Sequence, residues 1–348
     1  MSHKALRQSS RIELKQTLTH LRSQLREDAP NFKAPIQSSI EYLNSQEAVQ
    51  SLEADPYWPK WNSPWWHMTL LFEMGQTDLI PDQILTIFKS VSASHYLDVF
   101  PLREEEIPPG CDTTRNIFCH CALGTALQIF ESAGYKADDI VPWVRQWFAR
   151  YQLDDGGYNC DEAVYLKDTP RSSIVSTLPM LETLLSFGKE RLTAADLSIL
   201  DKGAKYLLAR RLFKSLSKQD AVIDEQFLQL TFPRFYDYDI LRGLSFVSSH
   251  ARLLETSINW RDIVEVFRLL ESKVINDTLT VERAFFADKT TLAKEPDGEW
   301  RRGNQASVFP LLLEVGKVGF PSIFLTRKFA TVVENLIGLN ERDLIRFE

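Results

Sequence analysis

Apolar residues recur three and four positions apart near residues 80–91, 116–133, 136–151, 174–187, 193–213, 238–250, 260–273 and 307–318. That spacing places them on one face of an α-helix, and strand-like alternation is scarce. Gly75, Pro81, Gly134, Pro142, Gly188, Pro233 and Gly316 fall between the segments, where a helix stops or starts. Two kinds of helix alternate. SPWWHMTLLFEMG, RNIFCHCALGTALQIFESAG, SSIVSTLPMLETLLSFG, FYDYDILRGLSFV and GNQASVFPLLLEVG are apolar nearly all round, as helices covered on both sides must be. DDIVPWVRQWFARYQ and AADLSILDKGAKYLLARRL carry Lys, Arg and Asp on one face, as helices facing water must. Such hairpins, repeating every ~50 to 70 residues, predict an all-α fold in the form of an α/α toroid of inner and outer helices. Residues 1–348 then form one domain, with an N-terminal helical extension over about 1–35 and a C-terminal helix over about 322–348. The inner helices, starting near residues 64, 116, 174, 236 and 306, are expected to begin at one common end.

A chain of 348 residues is longer than one compact core usually supports, which favours an architecture that extends its core by repetition. The net charge of −7, with no long basic stripe, argues against wrapping nucleic acid. No apolar run reaches the length needed to cross a bilayer. The N-terminal MSHKALRQSSRIELKQTLTHLRSQ lacks the apolar core of a secretory signal. The expectation is a cytoplasmic protein with no transmembrane segment, for which peripheral membrane contact stays open. The four cysteines, Cys111, Cys119, Cys121 and Cys160, are too few for a disulfide framework in a chain this large and point to free thiols or a metal.

One stretch carries a more specific pattern. WVRQWFARYQLDDGGYNC, Trp143 to Cys160, ends a helix at Gln152 and turns on Asp155-Gly156-Gly157-Tyr158; a weaker copy, KEPDGEW, stands at Lys294 to Trp300. A Gly-Gly or Asp-Gly pair takes the left-handed turn that ends a helix, and the aromatic fills the gap between layers. This arrangement resembles the repeat of the squalene cyclases and of protein prenyltransferase β-subunits, terpenoid cyclase and prenyltransferase-like α/α toroids. The resemblance implies the fold and a hydrophobic ligand in a central cavity. The chain departs from the family's chemistry: it has no D-x-D-D acid motif, and the prenyltransferase zinc motif, D-x-C with a downstream His, is not reproduced. The fold carries over and the ligands do not.

If the inner helices share one mouth, residues at their starts converge there. Arg115, Arg171, Arg234 and Arg302 precede four of the starts and, with helix N-termini, would suit an anion; alternatively each arginine ties down a neighbouring acidic loop. Trp65, Trp66, Tyr236 and Tyr238 are the aromatic candidates for binding substrate, or they fill a wide ring. Asp237 and Asp239 are candidate acid–base residues, with N-capping as the plain reading of an Asp at that place. His67, between an aromatic pair and an apolar run, is a candidate general base. For a metal such as Zn²⁺, the ligands expected are His120 and Cys160, because on a regular helix Cys119 and Cys121 point about 200° apart. His120 also lies on an apolar stripe with Leu123, Leu127 and Phe130, which suits a core histidine. The leading expectation is a prenyltransferase- or terpene-cyclase-like enzyme acting on a hydrophobic, anionic ligand of isoprenoid diphosphate type. The alternatives are an α/α-toroid polysaccharide lyase or glycoside hydrolase and a non-catalytic binding module.

Overall fold

A computed structural model describes residues 3–26, 30–96, 107, 112–116, 119–287, 291–294, 297, 299–303 and 306–347. The protein is mostly helical. In chain order its helices are α1 (His3–Gln24), α2 (Lys33–Leu43), α3 (Gln46–Ala54), α4 (Pro64–Glu73), α5 (Asp82–Ser94), α6 (His120–Ser132), α7 (Ala137–Ile140) and α8 (Val144–Tyr151). They are followed by α9 (Ile174–Ser186), α10 (Ala194–Ala209), α11 (Ile240–Leu254), α12 (Trp260–Ser272), α13 (Pro310–Val315) and α14 (Ile323–Glu341). Among the described residues strand is confined to three two-stranded ladders. They pair β1 (His95–Tyr96) with β2 (Asp112–Asn116), β3 (Ile258–Asn259) with β6 (Ile345–Arg346), and β4 (Thr291–Lys294) with β5 (Trp300–Gly303). Among the described residues no helix is long and apolar enough to cross a membrane.

Burial follows the two kinds of helix. In α4, every residue from Pro64 to Leu71 is buried, and α6 is buried continuously from His120 to Phe130. The amphipathic α12 buries only Ile263, Val266, Phe267 and Leu270, its i, i+3, i+4 and i+7 positions. Each large apolar side chain so buried contributes about 1.5–3 kcal/mol. Contacts run from α4 to α6, α6 to α9, α9 to α11 and α11 to α14; α13 packs on α2 and α2 on α4. Phe32, just ahead of α2, stacks on Phe324 of α14 at 5.8 Å. Against this series, α3 packs on α4, α10 on α9 and α11, α12 on α11, and α1 on α14. The expected fifth inner helix is short, because Gly316 ends α13 soon after Pro310 opens it.

The most extensive helix-to-helix contact joins α6 to α9. Gly124 lies so close to Pro179 that a Cβ on it would fall 2.6 Å from the proline carbonyl. Around this point Gln128 Nε2 donates to the carbonyls of Gly124 and Pro179 at 3.2 and 3.1 Å, and Thr183 Oγ1 donates to the same two at 2.7 and 2.8 Å.

The approaches to α4, α11 and α13 meet, and the loop carrying Cys160 meets the start of α9. Tyr57, ahead of α4, hydrogen-bonds Tyr236, ahead of α11, at 3.2 Å between hydroxyls. The Trp61 amide donates to the Ser307 carbonyl ahead of α13 at 3.4 Å. The Cys160 amide donates to Ser176 Oγ in the first turn of α9 at 3.1 Å.

The Asp155-Gly156-Gly157-Tyr158 turn locks α8, α9 and α10 together. Gln152 Nε2 donates to the carbonyls of Gly156 and, on α10, Ile199, both at 2.9 Å. Asp155 accepts from Ser172 and faces Arg210, and the fully buried Tyr158 donates to the Phe148 carbonyl at 2.9 Å. The KEPDGEW copy is different: it spans the turn between β4 and β5, where Asp297 Oδ1 accepts from the Glu299 amide and Oδ2 from Arg301. Among the described residues a strand, β4, and not a helix leads into it, so it stands between paired strands instead of at a helix-ending corner.

Gly156 has φ +96°, and a Cβ there would lie 2.4 Å from the Lys202 carbonyl oxygen; Gly134 has φ +82° with nothing within 4 Å. Gly134→Ala is therefore expected to lose about 1–2 kcal/mol, the left-handed backbone cost alone, and Gly156→Ala at least about twice that. Urea denaturation of the two variants checks the difference, and equal losses would mean that the turn does not lock α10.

Candidate metal centre and interior charge network

Cys119 is the residue ahead of the first helical turn of α6, with φ −65° and ψ 164°, an extended conformation. The helix thus begins at His120, and the angular argument against Cys119 and Cys121 acting together does not apply. The two Sγ atoms lie 2.9 Å apart, and Cys160, delivered by the loop after the double-glycine turn, brings its Sγ to within 4.8 Å of both. Three sulfurs around a tetrahedral ion at Zn–S distances near 2.3 Å sit about 3.8 Å apart, so the cluster matches a thiolate site to within small side-chain rotations.

His120 is not turned into this cluster. It is fully buried, with Nδ1 3.1 Å from the Asn159 carbonyl and Nε2 accepting from Trp147 Nε1 at 3.1 Å. Both ring nitrogens being engaged, the expected pairing of His120 with Cys160 is replaced by three thiols. Burial pushes His120 down and keeps it neutral. The thiols differ: hydrogen bonds from Cys119 and Cys121 hold Cys160 well below the usual thiol range, while Cys121 is raised by its contacts with Cys119 and Cys160 and by burial. Cys119 is pushed up despite its contact with Cys121, because it faces Cys160 and is buried. The first negative charge in the cluster thus forms on Cys160. Cys111 lies outside the described residues.

Beside the thiols stand two phenols. Tyr57 and Tyr236 are both raised by burial and both feel the charges of Cys119 and Cys121, so they are protonated donors. Lys60 Nζ lies 3.4 Å from the Tyr236 hydroxyl and over the rings of Trp61 and Trp58 at 5.0 and 5.6 Å. Trp65 and Trp66, expected to meet substrate, are instead wholly buried. Trp66 packs edge-on to Phe235 at 4.8 Å and donates its Nε1 to the Tyr57 carbonyl at 2.9 Å. They are the wall behind Tyr57 and not a lining.

The remaining candidates fall in several environments. His67 is stacked on Phe309 at 3.6 Å and faces Tyr42 at 4.5 Å, and burial drives it down to about 3, which makes it a poor base. Asp239 is the N-cap of α11, accepting from the Arg242 amide at 2.8 Å and the Thr231 amide at 3.2 Å; burial raises it. Asp237 is paired with Arg283. Tyr238 is fully buried and donates to the Leu212 carbonyl. Arg171 and Arg302 are exposed, Arg234 turns into the protein, and the side chain of Arg115 lies outside the described residues. The three described arginines therefore do not share one environment.

Arg234 belongs to a network that the sequence reading missed. Glu73, the last residue of α4, accepts from the backbone amides of Arg234, at 2.9 Å, and of Phe235. Arg242 grips Glu182 of α9 with Nε at 3.1 and 3.2 Å and Nη2 at 2.6 Å, and its Nη1 donates to the Asp237 carbonyl. Lys328 of α14, an exposed residue, feels Arg234, Glu182, Glu73 and Arg242, and the loss of water around its ammonium to the neighbouring protein pushes it down to about 8.

Comparison with protein-family models, curated proteins and solved structures finds no match. The geometry alone must carry the functional reading.

Removing one partner of a buried pair leaves the other charge uncompensated, at a cost of about 3–5 kcal/mol. Arg242→Met should show a loss of that size in chemical denaturation, and Glu182→Leu combined with Arg242→Met should recover most of it. A double variant as unstable as the single one would contradict the pairing.

Lys328 supplies a pH test. Its folded value near 8 lies below the ordinary 10.5, so between those values the unfolded chain holds more protons and stability rises with pH. Urea denaturation at pH 8 and 10 should show that rise in the wild type relative to Lys328→Met; parallel curves would place the ammonium in bulk water.

Proposed function

We propose that the helices form an α/α toroid, with α4, α6, α9, α11 and α14 inside, and that Cys119, Cys121 and Cys160 hold a Zn²⁺ at the mouth where the inner helices start. The observation that carries this reading is the meeting of three Sγ atoms within 4.8 Å from two separate chain segments. The donor set is soft and suits zinc. Three protein ligands leave a fourth position for substrate, the disposition of a catalytic zinc. Three thiolates also leave the ion with net negative charge, which makes it a weak Lewis acid and suits it to keeping a substrate thiol deprotonated as a nucleophile.

The residues around the thiols fit transfer of an apolar group to such a nucleophile. Tyr57 and Tyr236 are protonated donors beside the negative cluster, Lys60 adds a cation next to Tyr236, and the aromatic wall of Trp61, Trp66, Phe235 and Phe285 excludes water. The class proposed is a prenyltransferase-like transferase acting on a hydrophobic ligand, in a reducing compartment that keeps the thiols free. The sugar-active reading has no such support, because Asp239 is committed to a helix cap and Asp237 to Arg283. One observation favours a non-catalytic module instead: Phe235 and the loop around it fill space between α4 and α11.

Purified protein loaded with zinc should carry one equivalent, lost on Cys160→Ser and kept on His120→Gln. With Co²⁺ in place of zinc, thiolate-to-cobalt absorption should appear and shift when a small thiol is added. A spectrum indifferent to added thiol would make the metal structural and select the module; zinc retained by Cys160→Ser would remove the centre.

A further inference from the structure

The three thiols come from two chain segments that the backbone already ties together. His120 stands between Cys119 and Cys121, and its Nδ1 lies 3.1 Å from the carbonyl of Asn159, the residue before Cys160. The Cys160 amide donates to Ser176 Oγ at 3.1 Å, and the Asn159 side chain donates to the Arg171 carbonyl at 2.8 Å. Just beyond, the Asp161 carboxylate accepts from the Ala163 amide at 3.1 Å and caps the short helical turn Glu162–Leu166. The loop is fixed on both sides of its cysteine.

All three are free thiols. Their Sγ atoms lie within 4.8 Å of one another, those of Cys119 and Cys121 at 2.9 Å, whereas a disulfide holds its sulfurs about 2.05 Å apart. With the two segments joined at His120 and Asn159, closing that gap is a matter of side-chain rotation between staggered positions. Cys119 and Cys160 are partly exposed and Cys121 is buried, so a small oxidant reaches a sulfur on each segment. A bond between Cys119 and Cys121 would close a ring across one intervening residue, which strains the disulfide geometry. A bond from either of them to Cys160 joins segments far apart in the chain and avoids that ring.

We infer that Cys160 and one of the two thiols at the start of α6 form a reversible disulfide, which makes the cluster a redox-modification site whose oxidant is a hydroperoxide. A sulfur of one partly exposed thiol attacks a peroxide oxygen; the O–O bond breaks, the leaving oxygen takes up a proton, and a sulfenic acid remains. The facing thiol attacks that sulfur, the S–O bond breaks, the S–S bond forms and water carries off the hydroxyl with the second proton. Two thiols thereby give up two electrons, and the peroxide takes both. The third sulfur, still a thiol beside the new bond, can exchange into it, which changes the pairing and not the oxidation state. An external dithiol restores all three. The bond itself needs no metal, but its consequence rests on the proposed zinc centre: oxidation leaves one thiol where three held the ion, and the ion is expelled.

The test treats zinc-free protein with one equivalent of hydrogen peroxide, alkylates it and digests it with trypsin without reductant. Mass spectrometry should find the peptide Asn116–Lys136 linked to the peptide Tyr151–Lys167, and dithiothreitol should separate them. The link should persist in at least one of Cys119→Ser and Cys121→Ser and be absent in Cys160→Ser. It should form about tenfold or more slowly in the urea-unfolded chain, where nothing holds the segments together. Zinc-loaded protein should form it about tenfold more slowly than zinc-free protein and release its zinc in step, read with a chromogenic chelator. If the variants fail to fold, the wild-type map and the unfolded control decide. Oxidation that closes only Cys119 to Cys121, that pairs Cys111 instead, or that runs to sulfinic acid without a link overturns the site, and so does a link formed as fast in the unfolded chain. A link in a protein that binds no zinc removes the metal centre and leaves the disulfide standing; zinc binding without a link does the reverse.

Discussion

The carboxylate of Glu73 reaches from the last turn of α4 to two successive backbone amides, those of Arg234 and Phe235. Phe235 has φ 53°, a left-handed conformation that costs a residue with a side chain about 1–2 kcal/mol. On its other side the same loop is held by Arg242, which donates to the Asp237 carbonyl while gripping Glu182. Clamped between these two charges, the loop can present Phe235 to Trp61 and Trp66 and set the Tyr236 hydroxyl against Tyr57. The wall beside the thiols is thus fixed by a carboxylate on the same helix as Trp66, two turns further along. Burial raises Glu73, and the nearby Arg234 and Arg242 oppose that rise. The clamp weakens if either arginine is lost.

Much of the fold was legible in the sequence, because a helix buried on all sides must be apolar all round and few other structures ask for that pattern. α4 and α9 begin at Pro64 and Ile174, at or next to the expected starts near 64 and 174. The cap of α11 was readable as well: an Asp at a helix start has an ordinary role, and Asp239 has it. The error over the thiols came from a boundary. Taking α6 to start near residue 116 put Cys119 on a helical wheel, where it pointed away from Cys121; starting at His120, it does not. Helix ends are the least determined part of a periodicity argument, and here a shift of four residues changed which thiols can meet.

The interior network left a signal that was not used. Glu73 in PWWHMTLLFE, Glu182 in IVSTLPMLETLLS and Arg242 in ILRGLSFVSSHARLL are each a charge set into an otherwise apolar helix. An isolated charge in such a helix needs a partner on a neighbouring one, so charges of opposite sign in different inner helices predict contact. Lys328 was harder to find, because IFLTRKFATVVENLIGLNE reads as an ordinary amphipathic helix with a polar face. Only the placement of α14 against α11 turns that face toward other charges. The positions of Arg171 and Arg302 were equally undetermined, since proximity to a helix start fixes where a backbone goes and not which way a long side chain leans.

The contact of Gly124 with Pro179 bears on the thiol cluster in a further way. Cys121 sits one turn before Gly124 on α6, and Ser176, which holds the Cys160 amide, sits one turn before Pro179 on α9. The missing Cβ therefore works as a calliper, setting the gap between the helix that carries two sulfurs and the helix that supports the third. Widening that gap by a methyl group would leave every thiol in the chain and move the supports of the cluster apart, so the spacing of three sulfurs depends on a residue that has no side chain at all.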